Sequence, residues 1–229
     1  MKRLKQIFLP VFWLIFLLTV SSCGSISENS HGESAGGLEN KTEQIDTAVR
    51  EEAEALVEEL PEYSGEPYTV VADNEPDFSD SELQTEAYEE YSELDELGRC
   101  GTAKANIGEE LMPTEDRESI SEIKPSGWIN KEYDDVDGGY LYNRCHLIGF
   151  QLTAENANEE NLITGTRYMN TEGMLPFENM VADYIKETDN HVLYEVTPVF
   201  EDDNLVASGV LLEAESVEDG GAGISFYGF

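Results

Sequence analysis

Residues 140–179 read YLYNRCHLIGFQLTAENANEENLITGTRYMNTEGMLPFEN, and the rest of the chain is organised around them. The stretch holds one of only three histidines, His146, two residues after Arg144. It also holds six asparagines: Asn143, Asn156, Asn158, Asn161, Asn170 and Asn179. Short apolar runs at Leu141-Tyr142, Leu147-Ile148 and Leu162-Ile163 alternate with these polar groups and read as strands. A base that titrates near neutrality, a cation and neutral oxygen donors at close spacing suit phosphoryl-transfer chemistry better than they suit packing. Taken singly, each has a structural reading. His146 beside an apolar run fits a core histidine, Asn161 and Asn170 fit turns or caps, and Glu178 in a first helical turn complements the helix dipole. Their joint occurrence points to chemistry.

Working outward, Pro176 is suited to open a helix running to about Thr188, with Phe177, Met180, Val181, Tyr184 and Ile185 as its buried face. Three strands follow at 191–200, 205–216 and 224–229, the first two joined by a turn at Asp202-Asp203-Asn204. On the N-terminal side, Asp134–Gly139 reads as a hairpin-type turn and 111–128, with Pro113 and Pro125, as loop with a short helix. Residues 101–107 and 68–72 read as strands, with a turn at Asp73–Pro76. Residues 86–97 read as acidic and weakly helical. The expected fold is α+β with a mostly antiparallel sheet. His191, opening a strand far from the other candidates, reads as structural.

The first 22 residues read as a signal segment. Lys2, Arg3 and Lys5 precede an apolar run of 14 residues, Ile7–Val20, which is short for a membrane span. The run ends Val20-Ser21-Ser22-Cys23, similar to a bacterial lipobox, which implies lipidation of Cys23. Residues 23–65 then read as an acidic tether with a stalk helix over 42–60, and 66–229 as the folded domain. The expected location is outside the cytoplasm, with the membrane reached through a lipid anchor only and no obligate protein partner. Cys100 and Cys145 remain. In an oxidising location they can pair or stay free, and the sequence leaves this open.

Net charge is −36, from 49 acidic and 13 basic residues. Such a surface repels polyanions at long range, so any nucleic-acid site must rest on a local cationic patch; Arg144, Arg167, Lys124 and Lys131 are the candidates. No interleaving of aromatic and basic residues marks a base-stacking surface. The DDVDG string at 134–138 lacks the closing acid of an EF-hand.

Asn143-Arg144-Cys145-His146, followed by NLITGTRYMN and PFEN, resembles the DNA/RNA non-specific endonucleases with a ββα-metal (His-Me) finger, in particular the secreted streptococcal-type DNases. The resemblance spans about residues 66–229 and is strongest over 137–219. It implies that His146 is the general base, Asn170 the direct ligand to magnesium (or manganese), and Arg144 a phosphate contact. Asn161 would support the site and Glu178 would hold a metal-bound water; Arg167 is a further candidate for phosphate contact. Asn143 and Cys145 stand where the family's hallmark tetrapeptide has Asp and Gly. The implied activity is metal-dependent hydrolysis of DNA, and of RNA, to 5′-phosphate ends. A rival reading keeps the fold but makes it a non-catalytic surface binding module; a second makes it a calcium-stabilised structural domain built on the acidic loops 134–137 and 201–203.

Overall fold

The computed structural model describes residues 63–134, 136 and 138–229. The expected signal segment, Cys23 and the 42–60 helix lie outside the described residues. Among the described residues no helix is long and apolar enough to cross a membrane.

Among the described residues seven strands form two sheets: β1 (Tyr88–Tyr91), β2 (Ala103–Ile107), β3 (Tyr142–His146), β4 (Leu162–Thr166), β5 (Val192–Val199), β6 (Gly209–Ser216) and β7 (Ser225–Gly228). The larger sheet runs β1-β2-β5-β6-β7, antiparallel throughout, and the smaller is the β3-β4 pair. A four-residue helix, α1 (Phe150–Thr153), lies between β3 and β4, and α2 (Leu175–Thr188) follows β4. The expected α+β class with a mostly antiparallel sheet is the one observed, and β3-β4-α2 forms the ββα unit.

Strand alternation builds the core. Ala103, Ala105 and Ile107 of β2, Val192, Tyr194 and Val196 of β5, Val210, Leu212 and Ala214 of β6, and Phe226 of β7 all face one side and join one cluster, as a period of two requires. Helix α2 closes that side with Val181, Ala182 and Ile185, each no more than 1% exposed. Burying Val181 and Ile185 contributes roughly 1.5–3 kcal/mol apiece. Phe177 joins the same layer, with its ring centroid 4.8 Å from that of Phe226 and 5.0 Å from that of Tyr68.

The opposite sheet face carries charge. The register aligns Lys104, Glu195 and Glu213 across three strands. Segment 77–86 crosses them: Glu82 and Glu195 each pair with Lys104, at 2.7 and 2.6 Å, and the Asp77 amide donates to Glu213 at 2.8 Å.

Several local expectations are corrected. Residues 88–91 form edge strand β1 rather than helix, because pairing with β2 satisfies their backbone. Residues 68–72 make only a bridge, Val70 to Gly228, beside backbone bonds from Thr69 and Val71 to the β7 edge. Within 111–128 the one helical residue is Leu111, the last of a 3-10 turn at Glu109–Leu111, and the rest is irregular. Met180 is 43% exposed, and the buried face of α2 instead contains Glu178. Cys100 and Cys145 are both buried and free. The Cys100 thiol donates to the Glu159 and Leu162 carbonyls, each at 3.3 Å.

Candidate active site

The ββα unit aims three groups at one recess. His146 ends β3, opposite Leu162 of β4. Just beyond it the chain is clamped by Asn161, which is fully buried. The Ile148 amide donates to its Oδ1 at 2.9 Å, and its Nδ2 donates to the Ile148 carbonyl at 3.0 Å. Asn170 lies in a π-helical turn, Met169–Met174, that runs straight into α2; such turns widen a helix and often occur at functional sites. Glu178 lies in the first turn of α2 with Pro176 before it. His146, Asn170 and Glu178 line a common recess of about 300 Å³ together with Arg117, Arg144 and Gln151.

The tautomer of His146 follows from its partners. Nε2 lies 2.8 Å from the Asn156 carbonyl, which can only accept, so Nε2 carries the proton. Nδ1 therefore presents its lone pair, and the Arg117 guanidinium donates to it at 3.2 Å. Burial holds the His146 pKa below its ordinary value, and the Arg117 charge adds to this against the Asn156 hydrogen bond. The ring is neutral at neutral pH, as a base must be.

Glu178 is 8% exposed, and burial pushes its pKa up to about 7 against the opposing effects of Gln151 and Arg117. Gln151 Nε2 donates to Asn179 Oδ1 at 3.1 Å and more weakly to Glu178, at 3.5 Å. Gly149 is needed here, since a Cβ at that position would come within 2.5 Å of the Glu178 carboxylate.

Asn161 does not line the recess; its amide binds both the N–H and the C=O of Ile148 and so clamps the backbone after His146. Arg144 lines the recess, but its guanidinium is held from three sides. It donates to the Ser121 and Ile123 carbonyls and stacks 3.9 Å over the Trp128 ring. Arg167 is exposed and lines a neighbouring, more open recess. Lys124 and Lys131 line neither recess; Lys131 lies 4.8 Å over the Tyr133 ring. The cationic patch is thus Arg117, Arg144 and Arg167. Sequence reading missed Arg117 and Gln151. The available signal for Arg117 was its position as the only cation between Lys104 and Lys124 in an otherwise acidic run.

At the hallmark tetrapeptide, Cys145 is fully buried and its Sγ faces Gly165 across the β3-β4 pair, where a Cβ would approach to 2.6 Å. The larger residue at 145 is accommodated by the diagonal neighbour Gly165, which pairs with Asn143. Burial, with the nearby Glu178 charge, pushes the thiol up to about 12, so it stays protonated.

The donors suit a hard divalent cation that needs few protein ligands. The Asn170 amide makes no side-chain hydrogen bond among the described residues, and Glu178 supplies a carboxylate that one weak bond leaves available. Among the described residues no group of three His, Cys, Asp or Glu could hold a metal; Asp135 and Asp137 of the acidic loop 134–137 lie outside the described residues.

A family model described as DNA/RNA non-specific endonuclease matches residues 79–218, more than half of the chain. Among solved structures, NucA from Streptococcus agalactiae with no metal bound is similar at 22% identity and a TM-score of 0.64, covering 81% of this chain and 86% of that one. The magnesium-bound form of NucA gives 22% and 0.63 over 82% and 87%. Sda1 nuclease with a bound zinc ion gives 25% and 0.58 over 72% and 90%. A search of curated proteins finds no match.

Proposed function

The chain belongs to the DNA/RNA non-specific endonuclease family, and from that premise we propose that it is a magnesium-dependent endonuclease hydrolysing DNA, and RNA, to 5′-phosphate ends from a lipid-anchored position outside the cytoplasm. One observation carries the mechanism: the lone pair of a buried, neutral His146 faces into the recess that Asn170 and Glu178 share.

In the reaction, His146 Nδ1 takes a proton from the attacking water. The water oxygen bonds to phosphorus, the P–O3′ bond breaks, the departing O3′ takes a proton from solvent water, and His146 returns its proton to solvent; the products are a 5′-phosphate and a 3′-hydroxyl. In the resting geometry Nδ1 is occupied by Arg117. A phosphate offers that guanidinium a stronger, charge-assisted partner, so substrate frees the base and places the arginine where phosphoryl charge builds up. The nitrogen bonded to Asn156 fixes the ring's orientation. Asn161 keeps His146 in place through Ile148. Asn170 would hold the cation directly and Glu178 would hold one of its waters; when bound, the cation supplies Lewis-acid stabilisation of the phosphate and the departing oxygen. Arg144 braces the loop that carries Arg117 and contributes charge at the recess edge.

The test is supercoiled plasmid incubated with the full-length protein in magnesium, in manganese and in EDTA. Nicking followed by linearisation only with metal, leaving ends that a 5′-phosphate-dependent ligase reseals, supports the reading. A folded protein that leaves plasmid intact in both metals turns the conclusion to the non-catalytic binding module.

A further inference from the structure

Beside the catalytic recess lies a second one whose chemistry phosphodiester hydrolysis by itself does not require. Trp128, Tyr140 and Tyr142 line an open hollow of about 390 Å³, and Arg117, Arg144 and Asn170 line both it and the His146 recess. The three rings come from separate pieces of chain: Trp128 from a turn closed onto Pro125, Tyr140 from a bridge to Glu132, and Tyr142 from β3. None belongs to either core cluster, and all three keep some surface in solvent. The core does not use them, and although Trp128 stacks on Arg144 and the Tyr140 hydroxyl donates to Glu132, their convergence on one hollow calls for a further explanation.

The charges around them add an independent observation. The chain has 49 acidic and 13 basic residues, so an arginine has many carboxylates to choose from. Arg117, Arg144 and Arg167 nevertheless converge on this hollow, and among the described residues none is ion-paired to a carboxylate. Three arginines with no carboxylate partner among the described residues, beside exposed rings, form an anion site with stacking surfaces.

We propose that this hollow is a nucleobase-stacking subsite for the nucleotide next to the scissile phosphate, and that it makes the enzyme favour unpaired strands. The proposal rests on the nuclease reading above. Single-strand sites combine cations that follow the backbone with rings on which bases stack, and stacking tolerates any base because each has a π-face. In a duplex those faces are already stacked inward. The acidic surface beyond the arginines repels the phosphates of a second strand, whereas a single strand can keep its phosphates on the arginine patch. Tyr140 and Tyr142 are the available rings, because Arg144 already covers one face of Trp128 at 3.9 Å.

The test uses full-length protein, with magnesium, on three substrates: a 20-nucleotide single strand, the same strand with one abasic tetrahydrofuran residue, and the matched duplex. Wild-type protein should show a higher kcat/KM on the single strand than on the duplex. It should cut the phosphate next to the abasic residue roughly tenfold more slowly than its neighbours, the order expected from losing one stacked base. A Tyr140→Leu/Tyr142→Leu double variant should lose that single-strand preference, and Tyr140→Phe/Tyr142→Phe should keep it. Equal cutting beside the abasic residue, or a leucine variant with the wild-type preference, overturns the subsite while leaving the nuclease standing. Wild-type protein that cuts none of the substrates overturns the nuclease reading and the subsite with it. The abasic strand needs no variant, so poor folding of the leucine protein does not obscure the result.

Discussion

Replacing Asn161 with alanine tests how the fold holds the imidazole of His146. The amide is fully buried and makes two hydrogen bonds, to the N–H and C=O of Ile148, at 2.9 and 3.0 Å. Alanine leaves both backbone groups buried and unpaired, at roughly 1–3 kcal/mol each. A central figure of about 4 kcal/mol for the two corresponds to a fall in Tm of roughly 8–16 °C for a domain of this size. The Leu147 amide still donates to the Asn161 carbonyl, so the β3-β4 pairing persists, but the turn after His146 loses its side-chain tie. At temperatures where the variant remains folded, kcat should therefore fall more than KM rises, because the imidazole loses its aim. Urea denaturation measures the stability and steady-state plasmid cleavage measures the rate. A stability change under about 0.5 kcal/mol together with an unchanged kcat would refute the clamp, since it would mean that Ile148 finds other partners at no cost.

Other outcomes follow from the same geometry. Arg117→Ala should lower kcat/KM by roughly 100-fold or more, as removal of a preorganised charge does, with Arg117→Lys intermediate because the ammonium lacks the planar fork. Glu213, whose pKa burial pushes up to about 7 from an ordinary 4.5, binds a proton more readily folded than unfolded. Its contribution to stability is present below pH 4.5 and lost as pH rises through 7, so Glu213→Gln should be the more stable protein at pH 8, by up to about 3 kcal/mol, and denaturation at pH 5 and pH 8 shows whether the slope disappears. Gly165→Ala drives a methyl into Cys145 Sγ and Met169 Cε and should destabilise by about 1–3 kcal/mol; adding Cys145→Ala should recover part of this, and additive losses would contradict the contact.

Much of the fold could be read from residues whose local chemistry leaves few options. Pro176 opens the helix, the turn at 202–204 separates two long strands, and the spacing of His146, Asn161, Asn170 and Glu178 outlines the ββα unit. The failures have physical causes. Residues 86–97 are short and acidic, and only pairing with β2 makes four of them a strand. The buried face of α2 was read from apolar residues alone, which placed Met180 inside, whereas the site draws the carboxylate of Glu178 inward and leaves Met180 at 43% exposure. Arg117 reaches His146 from 29 positions away, across a loop with no regular structure. The aromatic hollow likewise exists only once three separate segments are folded together.

The most direct measurement is single-turnover cleavage of plasmid by His146→Ala beside wild type, at saturating magnesium, with folding checked by circular dichroism. The account predicts a rate lower by roughly 100- to 10,000-fold, the range for losing a general base, with DNA binding in EDTA unchanged. A His146→Ala protein that cuts at the wild-type rate would contradict it.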